Sequence, residues 1–212
     1  MEVNDELVKD GRLLQGSETQ KTLRREARKI FAKKGYSGAN TNELVQRARV
    51  TKGALYHHFA NKRELYHSVV EDMERELVER IEGAATAAVT AAGGRRDPWE
   101  RLRAMCRAYL DACRDPALAR MLVLEAPVVL GWKTWCDLEQ KYEVAAFARC
   151  LEEANRDAGA LREPAETLAQ VILGALTTGA RVIATSADPG AARADIQKTI
   201  DRLIAGLRST AG

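Results

Sequence analysis

The chain has 212 residues, enough to bury a sizeable core in one or two domains, and 46% hydrophobic residues with only 5% aromatic suit helices and argue against an all-β fold. Its net charge of +3 is unevenly spread: residues 18 to 67 hold twelve Lys and Arg against four Asp and Glu, which leaves the remainder acidic. A basic head on a mildly acidic body is the footprint expected when one part meets phosphate and the other does not. No apolar run reaches the roughly 20 residues that cross a bilayer and no basic-then-apolar leader opens the sequence, so a cytoplasmic location is expected.

Residues 1 to 17 scatter Leu7, Val8, Leu13 and Leu14 among net acidic positions and read as an N-terminal extension, disordered or a frayed helix, too poor in Arg and Lys for a minor-groove arm. A helix follows from Glu18 to Lys34, with Leu23, Ala27, Ile30 and Phe31 on one stripe and Gly35 as its stop. Asn40 is then an N-cap with Glu43 at capping-box spacing, and Leu44, Val45 and Ala48 give a short helix one apolar face. Arg47 to Val50 makes a turn, and Thr51 caps a second short helix through Phe59. On it Leu55 and Phe59 face inward, leaving Lys52, Gly53, Tyr56 and one of the pair His57 and His58 outward. Two short helices joined in this way have the layout of a helix-turn-helix whose second member reads DNA.

The stretch TKGALYHHFANKREL, Thr51 to Leu65, with KKGYSGANTNELV before it, strongly resembles the DNA-binding region of the TetR (tetracycline-repressor-like) family of one-component bacterial regulators, over about residues 18 to 80. The resemblance implies an all-α fold of about nine helices, with a three-helix DNA-binding head over 18–64 and an effector-binding and dimerisation body over 65–212. Lys52 is long enough to donate to guanine acceptors, and Gly53 lets the helix start approach base edges. Tyr56 and one or both of His57 and His58 should reach phosphates or bases, while Thr41, Thr51 and Lys62 fix the register on the backbone. By resemblance these are the positions family members use. Arg49 departs from the pattern, standing where the family usually carries Gly. At positive φ an Arg is strained by roughly 1 kcal/mol, so either the turn differs locally or Arg49 serves a backbone phosphate.

Asn61 and Glu64 repeat the capping spacing and open a long helix to about Ala92, ended by Gly93-Gly94, with Leu65, Val69, Met73, Leu77 and Ile81 as its buried stripe. Its acidic run, Glu71, Asp72, Glu74, Glu76 and Glu79, reads as a solvated face. From Pro98 the chain reads as further helices set off by breakers: Pro98 to Arg114, Ala117 to Glu125 with a break at Pro127, Trp132 to Asp157 closed by Gly159, Pro164 to Ser186, and a last helix from Asp188-Pro189 to Leu207. Cys106, Cys113, Cys136 and Cys150 show no metal-ligand spacing, so packing is their expected role and no metal site or cofactor is expected. All three histidines lie in or beside the head, which leaves the body without a histidine base and argues against an enzyme.

Two features of the body point to function. Met105, Tyr109, Met121, Leu124, Val128, Trp132, Trp135 and Phe147 gather its large soft side chains. Such stripes are commonly plain core, yet pockets favour Met and aromatic walls, and the family encloses an effector there. Few charges accompany these residues, so a largely apolar or aromatic effector is expected. Leu168, Val171, Ile172, Ala175 and Gly179 on one helix, with Ile196, Ile200, Leu203 and Ile204 on the next, supply more apolar surface than one covering layer needs. They are either core or one half of a four-helix dimer interface, the family's mode and the one expected here. The function expected is a ligand-released transcriptional repressor binding a palindromic operator as a homodimer, with an activator of the same fold or a sequence-indifferent architectural DNA binder as alternatives.

Overall fold

The computed structural model describes residues 2–91, 93, 97–158, 161 and 163–209, the stretches 2–15, 157–158 and 208–209 by their backbone path alone. Taking each unbroken helical run as one element, the described residues form nine helices and no strand: α1 Glu2–Gly38, α2 Thr41–Ala48, α3 Lys52–His58, α4 Lys62–Ala91, α5 Pro98–Ala112, α6 116–130, α7 132–158, α8 Ala165–Thr185 and α9 Pro189–Ser209. The expected all-α fold is therefore the observed one. The side chains of Leu7, Val8, Leu13 and Leu14, and the helix stops at Gly94 and Gly159, lie outside the described residues. The chain divides into two compact units, Met1–Val70 and Glu71–Gly212, so α4 contributes to both. The sequence places that boundary at Glu64 and Leu65.

In the first unit, Leu23, Ala27, Ile30 and Phe31 form the buried stripe of α1. The α1 run is interrupted where Gly35 takes φ 70 and ψ 173, backbone open only to glycine. Just beyond, Tyr36 stacks near Phe31 and meets Tyr66 edge-on, and Phe31 meets Tyr66 at 5.0 Å between ring centroids. Fully buried Tyr66 thus joins the start of α4 to the end of α1.

In the second unit, Asp97 and Asp115 cap α5 and α6, each accepting a backbone N–H at 2.9 Å ahead of a proline in the first turn. Helix α6 does not stop at Pro127 as its sequence suggests. Residues Ala119–Glu125 form a π-helical turn in which the Ala126 N–H donates to the Met121 carbonyl, and the helix continues as Ala126–Leu130. The wider turn absorbs the residue whose missing N–H and bulky ring would otherwise break the ladder. Gly131, at φ 78, makes the actual break. Helix α7 carries a second π segment, Gln140–Val144, between Trp132–Glu139 and Ala145–Ala158. Helix α8 packs on α5, α6, α7 and α9. By length and composition α8 is apolar enough to cross a membrane, contrary to the expectation from the sequence, and half of its apolar window is buried within this unit.

Candidate functional site

The helix-turn-helix forms through the caps its sequence carries. Asn40 Oδ1 accepts from the Asn42 N–H at 2.8 Å, and Thr51 Oγ1 accepts from the Ala54 N–H at 3.1 Å. Glu43 takes Lys34 Nζ at 2.5 Å and Arg47 at 3.5 Å, so the expected capping box is replaced by an ion pair joining α2 to α1. Leu44, Val45, Ala48, Leu55 and Phe59 are buried, which fixes the roll of both helices. The outward face of α3 then carries Lys52, Gly53, Tyr56 and His57, all exposed.

A methyl group at Gly53 would meet no atom closer than Thr51 Oγ1 at 3.7 Å. Nothing inside the chain calls for a glycine there, and its absent side chain leaves room for something approaching from outside. His58 is half-buried and turned toward α1, where a Cβ on Gly16 would lie 3.9 Å from its Cε1. Thr41 is half-buried at the start of α2 and Thr51 is exposed. Arg49 occupies φ 54 and ψ 42, the only positive-φ residue other than glycine among the described residues, and its side chain is exposed. The turn therefore keeps the conformation that favours glycine, and Arg49 adopts it.

Lys62, expected on the DNA backbone, is engaged within the head. Its ammonium donates to the Tyr36 carbonyl at 2.8 Å and the Ala39 carbonyl at 3.1 Å and lies 4.4 Å from the Tyr36 ring centroid, closing the α1–α2 connection onto the start of α4. At that start, Asn61 Oδ1 accepts from the Glu64 N–H and Glu64 accepts from the Ala60 N–H, so the capping reading holds there.

The predicted effector pocket is largely core. Met105, Tyr109, Met121 and Phe147 are buried, whereas Leu124 and Val128 face solvent, Val128 at 82% exposure. Of these residues only Trp132 and Trp135 line an open cavity of about 400 Å³ whose wall also includes Cys136, Glu139, Gln140, Val144, Gln170, Leu173, Gly174, Thr177, Thr178 and Arg181. Its wall is richer in charge than expected, since Glu139 and Arg181 both face it. The detectable signal was the spacing of Trp132, Trp135, Cys136 and Glu139 along one face of α7; the α8 contribution had none.

Beside this cavity the body buries carboxyl groups. Glu74, expected on a solvated face, is 1% exposed, and Glu143 is also buried. The two share a hydrogen bond, while Glu74 Oε2 has no partner. Burial, reinforced by the Glu139 charge, pushes Glu74 up to about 8, and burial together with the Glu74 and Glu139 charges holds Glu143 well above the usual carboxylate range. Burial lifts Glu139 to about 7 against the opposing effects of Thr177 and Arg181. Tyr109 OH and Thr177 Oγ1, 3.3 Å apart, extend the network, and Thr177 reaches Glu139 at 3.5 Å.

The terminal helices split the expected interface. Leu168, Ile172, Gly179, Ile200 and Ile204 are buried within the single chain and belong to its core. A Cβ at Gly179 would lie 2.7 Å from Ile196 Cγ2, so this glycine sets the close approach of α8 and α9. Val171 at 65% exposure, Leu203 at 57% and half-buried Ala175 remain on the outside, beside an apolar groove of about 570 Å³ between the two helices.

Comparison with known proteins gives two matching family models: "Bacterial regulatory proteins, tetR family" over residues 23–69 and "Tetracyclin repressor-like, C-terminal domain" over residues 99–207. The chain is similar to the Transposon Tn10 TetC protein of Escherichia coli, 31% identical over 54% of this chain and 54% of that one. It is similar also to the HTH-type transcriptional activator FasR of Mycolicibacterium smegmatis, 30% identical over 62% of this chain and 52% of that one. It spans about half the length of these curated relatives. The crystal structure of a regulator from Pectobacterium atrosepticum superimposes with a TM-score of 0.76 at 31% identity, covering 92% of this chain and 96% of that one.

Proposed function

The chain belongs to the TetR family of bacterial transcriptional regulators, and we propose that it is a cytoplasmic, ligand-released repressor that binds a palindromic operator as a homodimer. The observation that carries this reading is the outward face of α3, where exposed Lys52, Tyr56 and His57 surround a glycine that no internal contact requires. Lys52 supplies base-edge donors, Tyr56 and His57 reach phosphates or bases, and Thr41, Thr51 and Arg49 hold the backbone. His58, turned toward α1, supports the position of His57.

The partner subunit covers Val171, Ala175 and Leu203 on α8 and α9, which places two identical heads on one duplex. The effector occupies the cavity beside Trp132 and Trp135 and binds the non-DNA conformation more tightly, by about 1 to 3 kcal/mol for a typical coupling. Helix α4, shared by both units, carries the change between them. Gel shifts on the DNA flanking its own gene, repeated with a panel of small molecules, test the reading. A retarded band abolished by some compound supports it, and indifference to all duplexes at moderate ionic strength defeats it. The likeness to an activator, FasR, keeps activation as the second reading, and expression from the target promoter with and without the protein separates the two.

A further inference from the structure

We propose that the cavity between α7 and α8 takes an organic cation, a flat apolar body ending in an ammonium or amidinium group, with the charge seated on Glu139 and the body against Trp132 and Trp135. The inference rests on reading this cavity as the effector site and adds the charge of what enters it. The two indoles lie 4.9 Å apart between ring centroids at 51°, Trp135 about one turn and Trp132 about two turns before Glu139, so indoles and a carboxylate line the same wall. Indole faces attract cations, more strongly when water is displaced.

The electrostatics decide the sign. The Glu139 carboxylate is half-buried, and the hydrogen bond it shares with Thr177 is long, at 3.5 Å. Within the same unit Glu74 and Glu143 add carboxyls from α4 and α7, Tyr109 from α5 and Cys113 just after it are neutral, and Cys136 on α7 is a neutral thiol. The cation acting on Glu139 is Arg181 from α8, which is exposed and therefore screened by water. A charge in the half-buried position interacts more strongly than one in solvent, so the carboxylate and not the guanidinium dominates recognition. Glu74 and Glu143, both raised by burial, are largely neutral near pH 7, so an incoming ammonium meets the Glu139 carboxylate, which an anion would oppose. Because Glu139 titrates at about 7, a bound cation displaces its proton at acid pH, and affinity weakens as pH falls through that value.

Calorimetric titration of the full chain with 4-phenylbutylammonium, the neutral 4-phenylbutanol and the anionic 4-phenylbutyrate tests this. At pH 8 the ammonium should bind at least about tenfold more tightly than the other two, with its affinity down by about tenfold at pH 6. Glu139→Gln should erase the preference, and Arg181→Gln should strengthen it. Equal or tighter binding of the alcohol or the carboxylate, a preference that survives in Glu139→Gln, or no binding of any probe overturns the assignment. A chain that still binds its operator and yields to a neutral or anionic compound loses only this inference; one that ignores DNA loses the regulator reading itself.

Discussion

In the head, Glu18 and Glu43 lie within reach of Lys21 and Lys34, at 2.8 and 2.5 Å, and the hydrogen bonds from those lysines hold both carboxyls below the ordinary range. In the body, Glu74 and Glu143 are buried against each other, and the same side-chain type is pushed the opposite way. In one unit carboxylates are surface partners for lysines that also create the basic field. In the other they are a proton-dependent part of the packing. The number of acidic residues says nothing of this difference; burial and the nearest charge decide it.

The comparison can be tested from its largest effect downward. Leu55→Ala removes a buried anchor of α3 and should cost about 3 kcal/mol. Calorimetry should show the head melting earlier while the body's transition stays in place, and a single shifted transition would mean that the units do not melt separately. Lys62→Ala removes two carbonyl contacts and a cation over the Tyr36 ring, for about 2 kcal/mol. The loss should appear in urea midpoints, with the salt slope of DNA binding unchanged; a flattened slope with full stability would return Lys62 to the phosphate backbone.

In the body, Glu74 is raised from its ordinary 4.5 to about 8, so the folded state binds the proton more tightly than the unfolded chain does. The stability linked to that proton is full below pH 4.5, declines as pH rises toward 8, and is gone above it. Glu74→Gln should therefore melt higher than the natural chain at pH 9, by at least about 1 kcal/mol, with the gap narrowing toward pH 5. A gap that does not change with pH would remove Glu74 from the titration. The smallest effect belongs to the turn. Arg49→Gly relieves a left-handed backbone and should stabilise the head by roughly 1 kcal/mol, while weaker operator binding in the same variant would assign the lost guanidinium to a phosphate.

What the sequence made legible follows the same division. Caps at Asn40, Thr51 and Asn61, the stripes of α1 and α4, and the stop at Gly35 are local, and short-range hydrogen bonding or periodicity encodes them. The outward face of α3 was readable because Leu55 and Phe59 fix its rotation. The body's cavity was not, because large soft side chains serve core and pocket alike, so Met105, Met121 and Phe147 could not be told from Trp132 and Trp135. Two π segments also shift the phase of α6 and α7, which carried a helix past Pro127 and placed Glu143 inside. Glu74 escaped notice because its neighbours in sequence are acidic and its partner is far along the chain. The terminal helices carry two apolar faces, of which sequence could not say which meets its own chain.

The thiols offer a practical handle. Cys106 and Cys150 are buried and pushed up to about 12 and about 11, and Cys113 is raised further by the same burial. Cys136 is half-exposed and stands in the cavity wall. A maleimide dye offered to the natural chain should couple there first, giving a fluorescent reporter of cavity occupancy without any engineering.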